Sequence, residues 1–147
     1  MRSISVSRRI PSAPAKVWAV LADFPNIATW NTGVAKSFAT SDGTGGVGAQ
    51  RHCDLVSFGE LEETVKEWNE PSRMVISIDS TKKLPIARGE VTFLLSAADD
   101  ATEISVTYAY QPRFGLLGQI MGSLVLDRQL TKGFKGFLKD LDAPSRQ

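Results

Sequence analysis

The amino-acid sequence predicts an α+β fold in which a curved antiparallel sheet of about seven strands wraps around one long C-terminal helix. Seven segments have the alternation or composition of strands, and residues 117–141 repeat apolar side chains with the period of a helix. The breaks between the later strands are only a few residues long, whereas parallel neighbours need crossovers of about a dozen residues or more. Because an antiparallel sheet must bury one face, the long helix is the element expected to cover it.

The N-terminal segment predicts one strand and two short helices. Apolar and polar residues alternate over residues 4–10, except that Arg8 falls on the apolar face. Pro14 lies at the start of a helical apolar stripe. Pro25 ends that helix and opens a second short one that reaches Trp30. We therefore expect a strand followed by a helix-helix elbow.

Six further strands and the long helix complete the prediction. The strands are expected at residues 33–40, 49–55, 59–68, 74–80, 86–96 and 102–111. Beyond Pro112 the pattern becomes helical, and residues 143–147 are predicted to be a frayed tail. No repeat or linker divides the sequence, which predicts a single domain over residues 1–147.

Composition excludes several classes of partner. Seventeen Lys and Arg against sixteen Asp and Glu give a formal charge of +1, so we expect neither nucleic-acid binding nor stable membrane insertion. No apolar run typical of a signal peptide or a membrane span is present, which predicts a cytoplasmic protein. We expect a monomer or a homodimer. Cys53 is the single cysteine and His52 the single histidine, so no Cys/His cluster exists for zinc and we expect no metal and no cofactor.

Several segments resemble one known family. They are "PSAPAKVWAVLADFPNIATWNTGV", "VGAQRHC", "EETVKEWNEPSRMVISI", "LPIARGEV" and "FLKDL". Together they are similar to the START-like or SRPBCC superfamily, in particular its polyketide cyclase/dehydrase and lipid-transport branch. The resemblance implies the helix-grip fold, with a deep apolar cavity between the sheet and the long helix and with two short helices closing one end.

A glycine-rich segment, "GTGGVG", satisfies the pattern G-x-G-x-x-G at Gly43, Gly45 and Gly48. A dinucleotide site requires this turn between a strand and a helix, so that the helix N-terminus meets the pyrophosphate. A strand is predicted to follow it here. We therefore interpret the segment as a flexible loop.

Two opposite charges are predicted to face the interior on adjacent strands. Alternation places Arg51 on the inner face with Cys53, and Glu63 on the inner face of the next strand. If residues 56–58 form the hairpin loop, the register puts Arg51 opposite Glu63. Such a pair is either a structural ion pair or a polar anchor for a ligand, and the two roles are compatible. The same alternation turns His52 to the outer face.

The predicted function is the binding of a hydrophobic small molecule, such as a polyketide, lipid or quinone. A polyketide aromatase/cyclase-dehydratase acting in the same cavity is the alternative. Trp18 is interpreted as core, whereas Trp30 serves either packing or ligand contact, and Leu124 is expected to roof the cavity. The candidate ligand-binding residues are Trp30, Arg51, Glu63, Ile76, Phe93, Tyr108, Tyr110, Leu117 and Met121.

Overall fold

The fold is given by a computed structural model that describes residues 2–57, 59–113 and 116–147, with the side chains of the C-terminal helix described from residue 124 onward. The strands are β1 (Arg2–Ile10), β2 (Val34–Ala39), β3 (Gln50–Leu55), β4 (Glu60–Asn69), β5 (Arg73–Lys82), β6 (Ile86–Ala98) and β7 (Ala101–Pro112). The helices are α1 (Pro14–Ala22), a 3₁₀ helix (Phe24–Thr29) and α2 (Leu116–Ser145).

The seven strands form one antiparallel sheet in the order β1-β7-β6-β5-β4-β3-β2. This confirms the predicted curved sheet, the two short helices and the long C-terminal helix. Neighbouring strands are consecutive in sequence except β1, which pairs with β7. Residues 40–49 connect β2 to β3, and hairpin loops of two to four residues connect β3 through β7, without any crossover helix.

The core lies on the concave face, where alternate residues of β5 to β7 are buried. Trp18 of α1 is fully buried, as its helical spacing indicates. Its ring packs edge-on against that of Trp68, with the ring centres 5.4 Å apart. Period-2 alternation from Leu61 and Val65 puts Trp68 out of phase with the inner face, which predicts packing at the turn of residues 68–71. A bulge between Val65 and Glu67 inserts one residue into β4, and this insertion returns Trp68 to the inner face.

The C-terminal end of α2 differs from the prediction of a frayed tail. The helix continues to Ser145, which is fully buried and donates its hydroxyl proton to the Leu141 carbonyl at 2.7 Å. Pro144 removes the N–H that would bond to the Asp140 carbonyl oxygen, but Ser145 is the only helical residue after it, so the interruption falls at the very end of the helix. Although α2 has 30 residues, no helix in the described ranges carries an apolar stretch long enough to cross a membrane.

Ion pairs between β1 and α2 hold the edge of the sheet against the helix. Arg8, the predicted misfit on the apolar face, donates from Nε and Nη2 to Asp142 Oδ2 at 3.1 and 3.0 Å. Asp142 also accepts from Arg146 Nε at 2.6 Å, and its side chain is 8% exposed. At the other end of β1, Arg2 forms an ion pair with Asp127. Arg8 therefore faces inward because α2 supplies its carboxylate partner.

The Asp142 contacts predict a dependence of stability on pH. The hydrogen bond from Arg146, followed by that from Arg8, holds the pKa of Asp142 below its ordinary value of 3.8. A carboxyl group with a lowered folded-state pKa stabilises the fold above its unfolded pKa, and this contribution is lost as pH falls through the folded pKa. Asp142→Asn should therefore cost about 1 to 3 kcal/mol at pH 7, and the difference from wild type should shrink below about pH 4.

Urea unfolding from pH 7 to pH 2.5 measures this difference. The matched control is Asp100→Asn, because Asp100 is fully exposed and lies 4.0 Å from Arg9. A cost for Asp142→Asn that stays constant down to pH 2.5 would show that the ionised form of Asp142 is not the stabilising species.

Candidate functional site: a cavity between the sheet and the long helix

A cavity of about 330 Å³ lies between the concave face of β3 to β6 and the middle of α2. Its wall is mainly apolar, and the sheet provides Leu55, Leu61, Ile76, Ile78, Val91 and Phe93. The helix provides Gln129, Leu130, Gly133, Phe134 and Phe137, and the segment after the 3₁₀ helix provides Asn31, Gly33 and Val34. The cavity is therefore at the place that the resemblance implies.

Among the described side chains of α2, those between residues 129 and 137 cover the cavity, and Leu124 does not. Leu124 is 62% exposed, so it does not roof the cavity. It precedes Leu130 by six residues, which rotates it by about 240° around the helix axis. Leu117 and Met121 lie in the part of α2 whose side chains are outside the described residues, and their contact with a ligand stays a prediction.

Arg51 and Glu63 meet in the cavity wall. They are directly opposite on β3 and β4, and Cys53 is opposite Leu61, which confirms the predicted register. Arg51 Nε donates to Glu63 Oε1 at 3.0 Å, and each side chain is 7% exposed. Both residues line the cavity, as do Ile76 and Phe93. The ion pair therefore places two charged groups beside an otherwise apolar space.

The 3₁₀ helix completes the surroundings of Arg51. Arg51 Nη1 donates to the Phe24 carbonyl oxygen at 2.9 Å, and the guanidinium carbon lies 3.9 Å from the centre of the Phe24 ring. A charge-assisted hydrogen bond and a cation–π contact thus hold the guanidinium group in one orientation. Phe24 is itself 1% exposed, so this orientation is built into the core.

Cys53 lies beside the ion pair but is not activated by it. Its Sγ donates a weak hydrogen bond to Glu63 Oε1 at 3.4 Å. Burial, and next the charge of Glu63, raise the pKa of the Cys53 thiol far above its ordinary value. The thiol therefore stays protonated at neutral pH and does not serve as a nucleophile.

Three candidate residues lie outside the lining of this cavity. Trp30 packs edge-on against the cavity residue Phe137 with ring centres 5.0 Å apart. Tyr108 packs against Phe134 and lies over Gly89, where an added Cβ would come within 2.5 Å of the Tyr108 ring. Tyr110 donates its hydroxyl proton to Asp127. These three side chains reach the cavity only through their neighbours, and their role in ligand binding stays a prediction.

Sequence reasoning missed the polar residues Asn31, Ser57 and Gln129 of the lining. Asn31 is 9% exposed and accepts a hydrogen bond from the Gly33 N–H at 2.9 Å, so its amide shapes the turn beside the cavity. The one available signal was its position next to Trp30 in the segment that carries the resemblance. Alternation gives no information about Ser57 and Gln129, because they lie in a hairpin loop and on a helix.

The glycine-rich segment forms the connection between β2 and β3. A strand follows it, so the helix N-terminus that a dinucleotide site requires is not at this position. Gly48 has a positive φ of 92° and donates its N–H to the Val65 carbonyl oxygen at 2.9 Å. This segment is therefore a connection between two strands, without the strand-turn-helix context of a dinucleotide site.

Comparison with known proteins identifies the family. The polyketide cyclase/dehydrase and lipid transport family matches residues 1–144. The chain belongs to this family. That membership confirms the resemblance found in the sequence, whereas no curated protein matches the chain.

Solved structures show the same fold at low sequence identity. A START superfamily protein from Mycobacterium smegmatis is 14% identical to this chain and has a TM-score of 0.80. The match covers 99% of this chain and 97% of that protein. A Thermus thermophilus protein is 17% identical to this chain and has a TM-score of 0.82. The match covers 98% of this chain and 97% of that protein. XoxI from Bacillus cereus is 16% identical to this chain and has a TM-score of 0.79. The match covers 97% of this chain and 94% of that protein. At these identities the likeness extends to the fold alone.

Breaking the Arg51–Glu63 pair should destabilise this family member strongly. Arg51→Met or Glu63→Leu alone should cost about 3 to 5 kcal/mol, because each leaves an unpaired charge in a buried position. The double variant should recover much of that loss, because it leaves no charge uncompensated. Urea unfolding of the four proteins gives both quantities.

The exposed pair of Arg73 and Glu67 provides the matched control. Its Nε–Oε2 distance is 2.7 Å, but the two side chains are 41% and 46% exposed. Arg73→Met should therefore cost no more than about 1 kcal/mol. Equal costs at the buried and exposed pairs would contradict the burial argument.

Proposed function

We propose that the protein binds a hydrophobic, partly oxygenated small molecule, of the polyketide, lipid or quinone class, in the cavity between the sheet and α2. The observation that carries this proposal is a cavity of about 330 Å³ whose mainly apolar wall contains one oriented arginine. Its volume falls within the range of about 300 to 1,000 Å³ typical of small-molecule sites. Membership of the polyketide cyclase/dehydrase and lipid transport family supports the same class of ligand.

Arg51 is the polar anchor in this proposal. A guanidinium group has five N–H donors, and the bonds to Glu63 and Phe24 engage two of them. The remaining donors can bind a carbonyl, hydroxyl or carboxylate oxygen of a ligand. Because Glu63 and Phe24 hold the guanidinium in place, little side-chain entropy is lost when a ligand binds.

The arrangement of acid and base groups favours binding over the cyclase/dehydratase alternative. General acid–base chemistry requires a group that can give or take a proton close to the reacting atoms. In the described lining, the Glu63 carboxylate is engaged by Arg51 and the Cys53 thiol is held protonated by burial. The phenol of Tyr108 lies outside the lining, and burial raises its pKa far above the ordinary value. No observation on the described residues favours catalysis.

A helix glycine offers a direct test of the cavity. Gly133 lines the cavity, and a Cβ added there meets no atom within 4 Å, so Gly133→Leu should extend into the space without a clash. Gly136→Leu is the matched control, because a Cβ there also meets nothing within 4 Å but Gly136 is not in the lining. Both changes should stabilise α2 by up to about 1 kcal/mol, since leucine favours helix more than glycine does.

Fluorescence titration with 8-anilinonaphthalene-1-sulfonate measures the difference, because this dye combines an apolar ring system with an anionic group. Saturable binding should weaken at least tenfold in Gly133→Leu and stay within about twofold of wild type in Gly136→Leu, a tenfold loss being about 1.4 kcal/mol. Thermal unfolding confirms that both variants are folded. Equal affinity of the two variants would contradict the proposal that this cavity is the binding site.

A further inference from the structure

The outer face of β3 and β4 carries a second cluster of polar groups, unconnected with the cavity. His52 is the single histidine of the chain, and its side chain is only 14% exposed although it faces away from the core. Its ring stacks on that of Phe38 of β2 with centres 5.0 Å apart and planes at 22°. This packing fixes the plane of the imidazole and leaves the two ring nitrogens to carboxylates of the neighbouring positions.

Register places three carboxylates around the imidazole. His52 is opposite Glu62, and Asp54 is opposite Glu60, across the hairpin of β3 and β4. Nε2 of His52 lies 2.7 Å from Asp54 Oδ1 and 3.4 Å from Glu60 Oε1. One ligand atom from each of these three residues lies within 4.8 Å of the other two. Ligand atoms about 2.1 Å from a tetrahedral ion are about 3.4 Å apart, so small side-chain rotations suffice to bring all three onto one ion.

Glu62 completes the arrangement from the other side of the ring. Its carboxylate contacts Nδ1 of His52 and the Asp54 carboxylate contacts Nε2, so both ring nitrogens donate in the metal-free chain. A metal ion at Nε2 would replace the proton there, while Glu62 keeps the proton on Nδ1. Metal-binding histidines have this arrangement in most sites, because the carboxylate fixes the tautomer and raises the basicity of the ligating nitrogen. Glu62 is therefore a positioning residue for His52.

The charge around His52 favours a cation. Three carboxylates surround one imidazole, and among the described residues no lysine lies within 4.0 Å of them. Lys36 and Lys82 are opposite Asp54 and Glu60 in the register, and the Lys36 ammonium lies over the Phe38 ring instead. A divalent ion would balance the charge that these lysines leave uncompensated.

We propose that His52, Asp54 and Glu60 bind a divalent transition-metal ion such as Zn²⁺, with Glu62 holding the His52 ring. An imidazole nitrogen with two carboxylates suits Zn²⁺, whereas Mg²⁺ and Ca²⁺ prefer sites built of oxygen atoms alone. The expectation of no metal considered only Cys/His clusters, and it left out the carboxylates that the strand register brings to the one histidine. Three protein ligands on an accessible surface leave a fourth coordination position for water.

Titration with Zn²⁺ and Co²⁺ tests this proposal on the intact protein. Isothermal titration calorimetry of wild type after treatment with EDTA should give one Zn²⁺ per chain. His52→Asn, Glu60→Gln and Asp54→Asn should each weaken this binding at least tenfold. The matched control is Glu103→Gln, which removes one exposed carboxylate from β7 and should leave the affinity unchanged.

Spectroscopy separates this site from the buried cysteine. The Co²⁺ complex should show d–d absorption without the near-ultraviolet band of a cobalt–thiolate bond, because Cys53 faces the cavity on the opposite side of β3. Nuclear magnetic resonance of the single imidazole should show that Zn²⁺ binds at Nε2 while Nδ1 keeps its proton. Glu62→Gln should weaken Zn²⁺ binding by about 10- to 100-fold and leave the d–d spectrum of the saturated complex in place.

Two outcomes would overturn the proposal. Either wild type binds Zn²⁺ no more tightly than His52→Asn does, or the affinity does not respond to Glu60→Gln and Asp54→Asn. In both cases the cluster is an ion-pair network alone. Thermal unfolding in EDTA shows whether each variant is folded, and the imidazole resonances of wild type decide the question even if a variant is not.

Discussion

The constraint on which this structure depends is that one helix must cover the concave face of a sheet of seven strands. The helix meets that face tightly near its C-terminal end, where Leu138 is 1% exposed and Leu141 is fully buried. Closer to the middle of the helix, Gly133 contributes no side chain, and the helix leaves a cavity above β3 to β6. Arg8 and Asp142 hold β1 against the same helix, so the position of the cavity follows from where α2 is anchored.

Most of the fold could be predicted because period-2 alternation and short hairpins leave few choices. The pairing of Arg51 with Glu63 follows from alternation together with one assumption about a three-residue loop. Prediction failed where the backbone departs from regular geometry or where a distant residue decides the outcome. The bulge in β4 reversed the phase of Trp68, and the buried Ser145 kept the last turn of α2 in place, although neither effect has a signal in local sequence.

The candidate site was only partly predictable, because alternation assigns a residue to a face of the sheet and says nothing about its neighbours there. Tyr108 and Tyr110 share the concave face with Ile76 and Phe93, yet they lie outside the cavity lining. Gly89 on the adjacent strand leaves room for the Tyr108 ring to pack against its backbone, and Asp127 of α2 binds the hydroxyl of Tyr110. Both partners are distant in sequence, so they could be found only once the strands and the helix were in place.

The same alternation gives β3 two chemically different faces. Arg51 and Cys53 point to the cavity, whereas His52 and Asp54 point outward. Stability alone does not explain the inner charges, since replacing a buried ion pair with well-packed apolar residues is often neutral or stabilising. The ligand with a polar end that we propose would explain them, because an apolar cavity without a fixed donor would bind such a molecule only by leaving its oxygen atoms unpaired. In the proposed site, the task of Glu63 and Phe24 is to keep the Arg51 guanidinium in place whether or not a ligand is bound.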